Sequence, residues 1–503
     1  MEDPFVAAIQ SHYAQAPGTI CLGGIYHESA IVKECMLAAS LQSLNRHGLI
    51  AGATGTGKTK TIQMLAEQLS THGISTLLMD IKGDLSGLAM PGEKNAQISD
   101  RQQSLNLPYH PQAFPVTLLA MGAQPGVKVR TTLVEFGALL FSKMLELNET
   151  QTSIMSILFQ YAKDNQLLLQ DLADIKALIQ YAQSEGKANI EKTYGSIATV
   201  SLKSILRNII ELEAQGGHEL FGSPSFDVGD LLQNNAAGYG VISILRLLNL
   251  QDKPKLFSTF MLGLLSSVYS KFPEVGDIAQ PKLVIFIDEA HLIFSQASKA
   301  LLTQLETIVK LIRSKGVGLI FCTQSPDDIP DTVLSQLGLK IQHALRAFTA
   351  KDRKAIKLAA ENFPLTPFYD TVSLLTSLGI GQALVSALDN HGKPTPLVQA
   401  VMRAPESRMG PLSDEEITTL VNQSELVKKY DCRLEHASSA TLLLKKHQET
   451  DSTPQDTKKT TPANQPSSIE TLSKNTLFRQ IVRAIVQEIT KAVIAALGIK
   501  RRK

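Results

Sequence analysis

The sequence predicts an α/β protein with a parallel-rich central sheet, helices on both of its faces, and a helical insertion. Three observations carry this. Short, continuously apolar runs of about six residues recur at 75–80, 240–245, 283–288 and 318–323, which is how strands buried on both faces read. Segments with helical spacing separate these runs. A glycine-rich octapeptide, Gly52-Ala53-Thr54-Gly55-Thr56-Gly57-Lys58-Thr59, stands between the apolar run Leu49-Ile50-Ala51 and an amphipathic stretch bearing Ile62, Leu65, Ala66 and Leu69.

Residues 1–48 form an N-terminal segment with a short strand at 19–26. The core is expected over 49–410. The octapeptide is a phosphate-binding loop in its required context of strand, loop and helix. Its glycines let the backbone close on phosphates, and the amides and helix N-terminus point at them. Lys58 reaches the β- and γ-phosphates, the Thr59 hydroxyl ligates Mg²⁺, and Lys60 continues the loop into the helix. After the strand at 75–80 comes a polar turn, Lys82-Gly83-Asp84. Asp80, which ends that strand, either joins the metal shell or caps the turn; an active-site role is expected. A strand at 115–121 follows. From about 129 to 235 the pattern becomes helical, with Leu133, Leu139, Leu140, Met144, Leu145, Ile154 and Leu158 at helical spacing. Strands return at 240–245, 283–288 and 318–323, with weaker ones at 340–345 and 382–386. Residues 411–475 are partly helical and then, from 447, rich in Thr, Ser, Gln, Lys and Pro, which predicts a disordered linker. Residues 476–503 predict a basic amphipathic helix with Phe478, Ile481, Val482, Ile485, Ile489, Val493 and Leu497 on one stripe.

The strand at 283–287 delivers Asp288-Glu289 to its C-terminal end, a Walker B arrangement. Asp288 holds Mg²⁺ because a hard cation seeks oxygen ligands. Glu289 orients and deprotonates the attacking water. The competing reading of such a pair is a helix cap, and the upstream phosphate loop decides against it. Gln324, at the tip of the next strand, is placed to touch the γ-phosphate or the water. Arg313 lies between these two motifs. It either reaches a neighbouring subunit's nucleotide in trans or complements a helix dipole. Arg46 and Arg346 are second candidates of the same kind.

Composition bounds the rest. The 503 residues are 44% hydrophobic and 19% charged, the balance of a globular chain with a large core. The net charge of +2 leaves no global basic field, so a nucleic-acid partner must be gripped by local patches. Cys21, Cys35, Cys322 and Cys432 lack CxxC spacing, so neither a zinc site nor a disulfide framework is expected. With no signal-peptide pattern and no membrane-length apolar run, a cytoplasmic location is expected.

Longer strings than the nucleotide motifs are distinctive. Asn45-Arg46-His47-Gly48-Leu49-Ile50-Ala51 leads into the loop. Asp80-Ile81-Lys82-Gly83-Asp84-Leu85-Ser86-Gly87, Leu147-Asn148-Glu149-Thr150-Gln151 and Pro273-Glu274-Val275-Gly276-Asp277 follow. Asp288-Glu289-Ala290-His291-Leu292, the run from Leu311 to Gly318, Gln336-Leu337-Gly338 and the run from His343 to Thr349 complete the set. Over about 18–411 the chain resembles the HerA-like P-loop ATPases of the DUF853 (YjgR) group, in the HerA/FtsK superfamily. The string around His291 also echoes DEAH-box helicases, but no second tandem domain follows. The resemblance implies an additional-strand, RecA-like fold, ATP and Mg²⁺ as cofactors, and a homo-oligomeric, hexameric ring that translocates DNA or another polymer through its pore. It implies a trans role for Arg313, an acidic strand end at Asp80 and an arginine before the loop at Arg46. Only about 45 residues precede the loop, so an N-terminal β-barrel that docks a nuclease is not expected. The alternative function is a nucleotide-switched ATPase acting on protein or membrane partners through the basic C-terminal helix, a helix that equally suits packing between subunits.

Overall fold

The computed structural model describes residues 4–13, 16–250, 253–295, 299–389 and 392–431. The expected linker at 447–475 and basic helix at 476–503 lie outside the described residues, as does Cys432.

Among the described residues twelve strands form one sheet. They are β1 (Thr19–His27), β2 (Ala30–Ser40), β3 (Gly48–Ala51), β4 (Ser75–Asp80), β5 (Val116–Ala120), β6 (Val127–Lys128), β7 (Ile242–Arg246), β8 (Leu283–Ile287), β9 (Val317–Thr323), β10 (Leu339–His343), β11 (Gln382–Ser386) and β12 (Val398–Met402). The order across the sheet is β2-β1-β12-β11-β10-β3-β9-β8-β4-β7-β5-β6. From β10 to β6 every pairing is parallel. From β10 to β2 every pairing is antiparallel.

The parallel strands read as solid apolar runs because both faces are covered. In β8, Leu283, Ile285 and Ile287 enter one core while Val284 and Phe286 enter another. In β4, Leu77 and Met79 face the first core and Leu78 the second. The first core also takes the helices between β6 and β7, among them Glu149–Asp164, Leu172–Gln183 and Thr199–Ala214. The helix Glu149–Asp164 starts at a capping box in which Asn148 and Gln151 bond each other's backbone. The second core takes the helix Lys58–Thr71, which buries Ile62, Leu65, Ala66 and Leu69.

The antiparallel flank is where the structure departs most from the expected strands. β2 and β12 were not anticipated. Lys33 and Glu34 interrupt β2's apolar run, and β12 is a five-residue Val-Gln-Ala-Val-Met segment interrupted by Gln399. Their pairing with β1 and β11 supplies what their local sequence lacks. The helix Pro4–Tyr13 was likewise unforeseen. It buries Phe5, Ile9 and Tyr13 at four-residue intervals against the same core.

Candidate nucleotide site

β3, β9, β8 and β4 are neighbours and run parallel, so their C-terminal ends share one edge of the sheet. That edge collects the Gly52–Thr59 loop, Gln324, Asp288-Glu289 and the turn after Asp80. In open α/β sheets this is where ligands bind.

The loop has the backbone a phosphate needs. Gly52, Gly55 and Gly57 have φ of 153°, 79° and 119°, a region that glycine alone enters freely. A Cβ on Gly52 would stand 2.6 Å from the His343 Cβ. Lys58 Nζ folds back to donate to the Gly52 and Ala53 carbonyls at 2.6 and 3.1 Å. Burial lowers its pKa, opposed in part by Cys322, Glu289 and Asp288 nearby. The loop is braced by Ala53 N–H on the Ala344 carbonyl and by Gly381 N–H on the Thr56 carbonyl.

Asp288 and Glu289 are both buried. Burial raises the Asp288 pKa, and the Lys82 charge offsets this. Glu289 has φ of +48°, a sparsely populated conformation for a residue with a Cβ and one that concentrates at functional sites. Its Oε1 lies 2.5 Å from Lys82 Nζ. Its Oε2 is buried without a hydrogen-bond partner; His291 Nδ1 approaches to 3.2 Å but outside hydrogen-bonding geometry. One oxygen is thus tethered and the other keeps its lone pairs for a proton donor such as water.

Lys82 stands in the candidate site although its sequence context singles it out for no role. It belongs to the turn that follows Asp80. Burial works against its charge, but the Glu289 hydrogen bond and the Asp288, Glu289 and Asp84 charges outweigh that and raise its pKa. The available signal was electrostatic: two acidic pairs at one sheet edge, Asp80 with Asp84 and Asp288 with Glu289, call for a second cation beside Lys58.

The structure gives two of the expected site residues a definite setting. Asp80 spends both carboxylate oxygens on its own turn, accepting from Gly83 N at 2.6 Å and Leu85 N at 3.2 Å. Burial pushes its pKa up to about 6. It caps the turn that carries Lys82, the second of the two expected roles. Arg46 precedes β3, so it sits at the opposite edge of the sheet from its own phosphate loop, beside Gly338 and Gly392. It is out of reach of its own loop, the placement expected of a residue that acts in trans.

Arg313 is also on that opposite edge. It precedes β9, whose seven residues span roughly 20 Å. Its guanidinium donates to Asp277 at 2.8 Å and is partly open to solvent. Gln324 and Arg346 do come together with the loop: both are exposed and line a cleft of about 650 Å³ with Ala53 and Thr54. Asp328 accepts from Thr323 Oγ1 at 2.5 Å and Ser325 N at 3.1 Å, which fixes the turn on either side of Gln324. Lys60 lies on the other flank of the loop, in a separate cleft.

The oxygen donors fit magnesium. Among the described residues no group of three or more His, Cys, Asp or Glu side chains is disposed to hold a metal. Thr59 and Asp288 instead offer two hard ligands, the partial set that Mg²⁺ takes when phosphates and water supply the rest.

A family model described as "Helicase HerA-like C-terminal" matches residues 27–502. The chain belongs to the HerA-like family. This HerA-like chain is 23% identical over 349 residues to a protein of Sulfolobus acidocaldarius called DNA double-strand break repair helicase HerA, covering 69% of this chain and 63% of that one. It is 26% identical over 372 residues to the protein of the same name from Sulfurisphaera tokodaii, covering 73% and 66%. It therefore spans just under two thirds of the length of these curated relatives. The fold is similar to that of the plasmid coupling protein TrwB in complex with an ATP analogue, with a TM-score of 0.52 at 14% identity over 79% of this chain and 97% of that one. It is similar also to VirB4 of Thermoanaerobacter pseudethanolicus, with a TM-score of 0.50 at 15% identity over 78% and 98%. These likenesses place the HerA-like chain in the P-loop α/β fold expected from its sequence. Among the described residues no helix is long and apolar enough to cross a membrane.

Proposed function

We propose that this chain is a Mg²⁺-dependent ATPase that works as a homo-oligomeric, ring-forming motor on DNA. The observation that carries the proposal is the split of its catalytic groups. Lys58, Asp288, Glu289 and Gln324 gather at one edge of the sheet. Arg313 stands at the other edge, held by Asp277 and out of reach of its own loop.

In this reading the loop amides and Lys58 bind the triphosphate, and Lys58 exchanges its Gly52 and Ala53 carbonyls for phosphate oxygens. Thr59 and Asp288 would hold Mg²⁺, which would supply neutralisation of phosphate charge. Glu289 accepts the proton of the attacking water at Oε2. Gln324 contacts the water or γ-phosphate and passes the change to the 325–329 turn. Arg313 of one copy meets the phosphates of the next and offsets transition-state charge. Action on DNA is supported by the names of the curated relatives.

Mixing variants tests the oligomeric site. Arg313→Ala and Lys58→Ala proteins should each be inactive, and together should regain part of the ATPase rate. No recovery would overturn the shared site. Duplex DNA at low salt should stimulate turnover. Stimulation by anionic liposomes alone would favour a membrane partner instead.

A further inference from the structure

Arg46 and Arg313 reach the same edge of the sheet on adjacent strands. Arg46 ends the turn Gln42–Arg46 that leads into β3, and Arg313 lies in the turn Ile312–Lys315 that leads into β9. β3 and β9 are paired, with Gly48 opposite Ile320. Neighbouring strands stand about 4.8 Å apart, and two like charges at such a place repel each other. They need a counter-ion to share one edge.

The segment 273–278, between the helix Pro254–Lys271 and β8, supplies it. Val275 N and Gly276 N donate to the Ser314 carbonyl at 2.8 and 3.2 Å. On its other side Asn45 Nδ2 donates to the Ile278 carbonyl at 3.2 Å. The segment thus bridges the turn of Arg313 and the turn of Arg46. A Cβ on Gly316 would stand 2.7 Å from Ile278 Cδ1 and 3.0 Å from Val275 Cγ2, so a glycine there lets the segment close on the Arg313 turn.

Two carboxylates come with the segment, and they differ in use. Glu274 pairs at 2.9 Å with Lys315, whose side chain is only 11% exposed and lies over the Tyr269 ring. That pair serves packing. Asp277 meets Arg313 through one nitrogen, Nη2, at 2.8 Å, and 40% of the arginine side chain is open to solvent. Among the described residues Nη1 and Nε of Arg313 have no hydrogen-bond partner. The Arg313 hydrogen bond and charge, and more weakly the Arg46 charge, hold the Asp277 carboxyl below the usual carboxylate range. It therefore stays ionised at neutral pH and feels both arginines.

We infer that Asp277 is a positioning residue that holds Arg313, with Arg46 beside it, toward the triphosphate of a neighbouring copy. The inference rests on the proposed trans role of Arg313. The carboxylate offsets the repulsion between the two guanidinium groups and fixes Arg313 by a single contact. The remaining N–H donors are left for phosphate oxygens, which a guanidinium meets through paired donors.

ATPase assays on full-chain variants test it. Asp277→Ala should keep the wild-type melting temperature. It should lower kcat about 10- to 100-fold, since a displacement near 1 Å costs about that much, with KM for ATP within about threefold. Asp277→Glu should recover part of the rate. A wild-type or higher kcat in Asp277→Ala overturns the inference. Mixing separates positioning from a general structural loss. Asp277→Ala keeps a sound phosphate loop, and Lys58→Ala keeps a sound arginine edge. Their mixture should exceed the sum of the two proteins assayed apart, whereas Asp277→Ala with Arg313→Ala should not. If Lys58→Ala regains activity with Arg313→Ala but not with Asp277→Ala, this inference alone falls. If it regains activity with neither, the shared site falls as well.

Discussion

Replacing Lys82 by methionine removes the ammonium that tethers the proposed base. Lys82 Nζ lies 2.5 Å from Glu289 Oε1, with the glutamate side chain 7% exposed and the lysine 39% exposed. A hydrogen bond between charged groups contributes roughly 1.5–3 kcal/mol. Water around the half-open lysine screens it, which favours the lower end of that range. Glu289 also carries a φ of +48°, and surrounding contacts must hold a residue in such a conformation. Without Lys82 the carboxylate gains alternative positions and is less often aligned with the water. A loss of about 1.5 kcal/mol is a tenfold fall in rate, and about 3 kcal/mol is more than a hundredfold. In steady-state ATPase assays Lys82→Met should therefore lower kcat about 10- to 100-fold, with KM for ATP moving less than about threefold. Lys82→Arg should restore part of the rate. Adding Lys82→Met to Glu289→Gln should cost nothing further, because the two side chains act as one unit. An unchanged kcat in Lys82→Met would refute the tether. A fall in ATP affinity as large as the fall in kcat would refute it too, and would put Lys82 on the phosphates.

Glu289→Gln should still bind ATP but turn it over at least about a hundredfold more slowly; a normal rate in the same ATPase assay removes Glu289 as the base. Asp277→Ala releases Arg313 from an exposed pair, so stability in urea should change by less than about 1 kcal/mol; a larger loss would make the pair structural. The buried imidazole of His47 accepts from Leu319 N–H at 3.0 Å and faces the Val309 carbonyl at 2.8 Å, and burial lowers its pKa from 6.5 to about 4. Its folded value lies below its unfolded one. Its contribution, at most about 3 kcal/mol, is therefore whole above pH 6.5 and is lost as pH falls toward 4. Buried Asp80 and Glu67, raised to about 6 and about 7 by desolvation, act in the opposite sense, so the measurement is the difference in urea stability between wild type and His47→Gln. That difference should shrink between pH 7 and pH 5, and a constant difference would sink the assignment.

Much of the parallel sheet and the identity of the nucleotide motifs could be read from residues alone, because both are local. A strand buried on two faces carries a continuous apolar run, as β8 does throughout and β4 does over residues 77–79. A phosphate loop must bring its glycines, lysine and threonine in consecutive order, as Gly52 to Thr59 does. Asp288 and Glu289 were legible for the same reason. The sequence by itself thus determined the fold class and which groups can handle a triphosphate and its metal. Only the tertiary structure decided which of them meet. Strand order, a non-local property, joined Lys82 to Glu289 across roughly two hundred residues. It turned Asp80 inward on its own turn and sent Arg46 and Arg313 to the far edge of the sheet. It also completed the antiparallel flank, where β2 and β12, whose local patterns are mixed, become strands by pairing with β1 and β11. The distances that separate a binding loop from a complete hydrolytic site are set by those pairings, and hydrophobic periodicity carries no record of them.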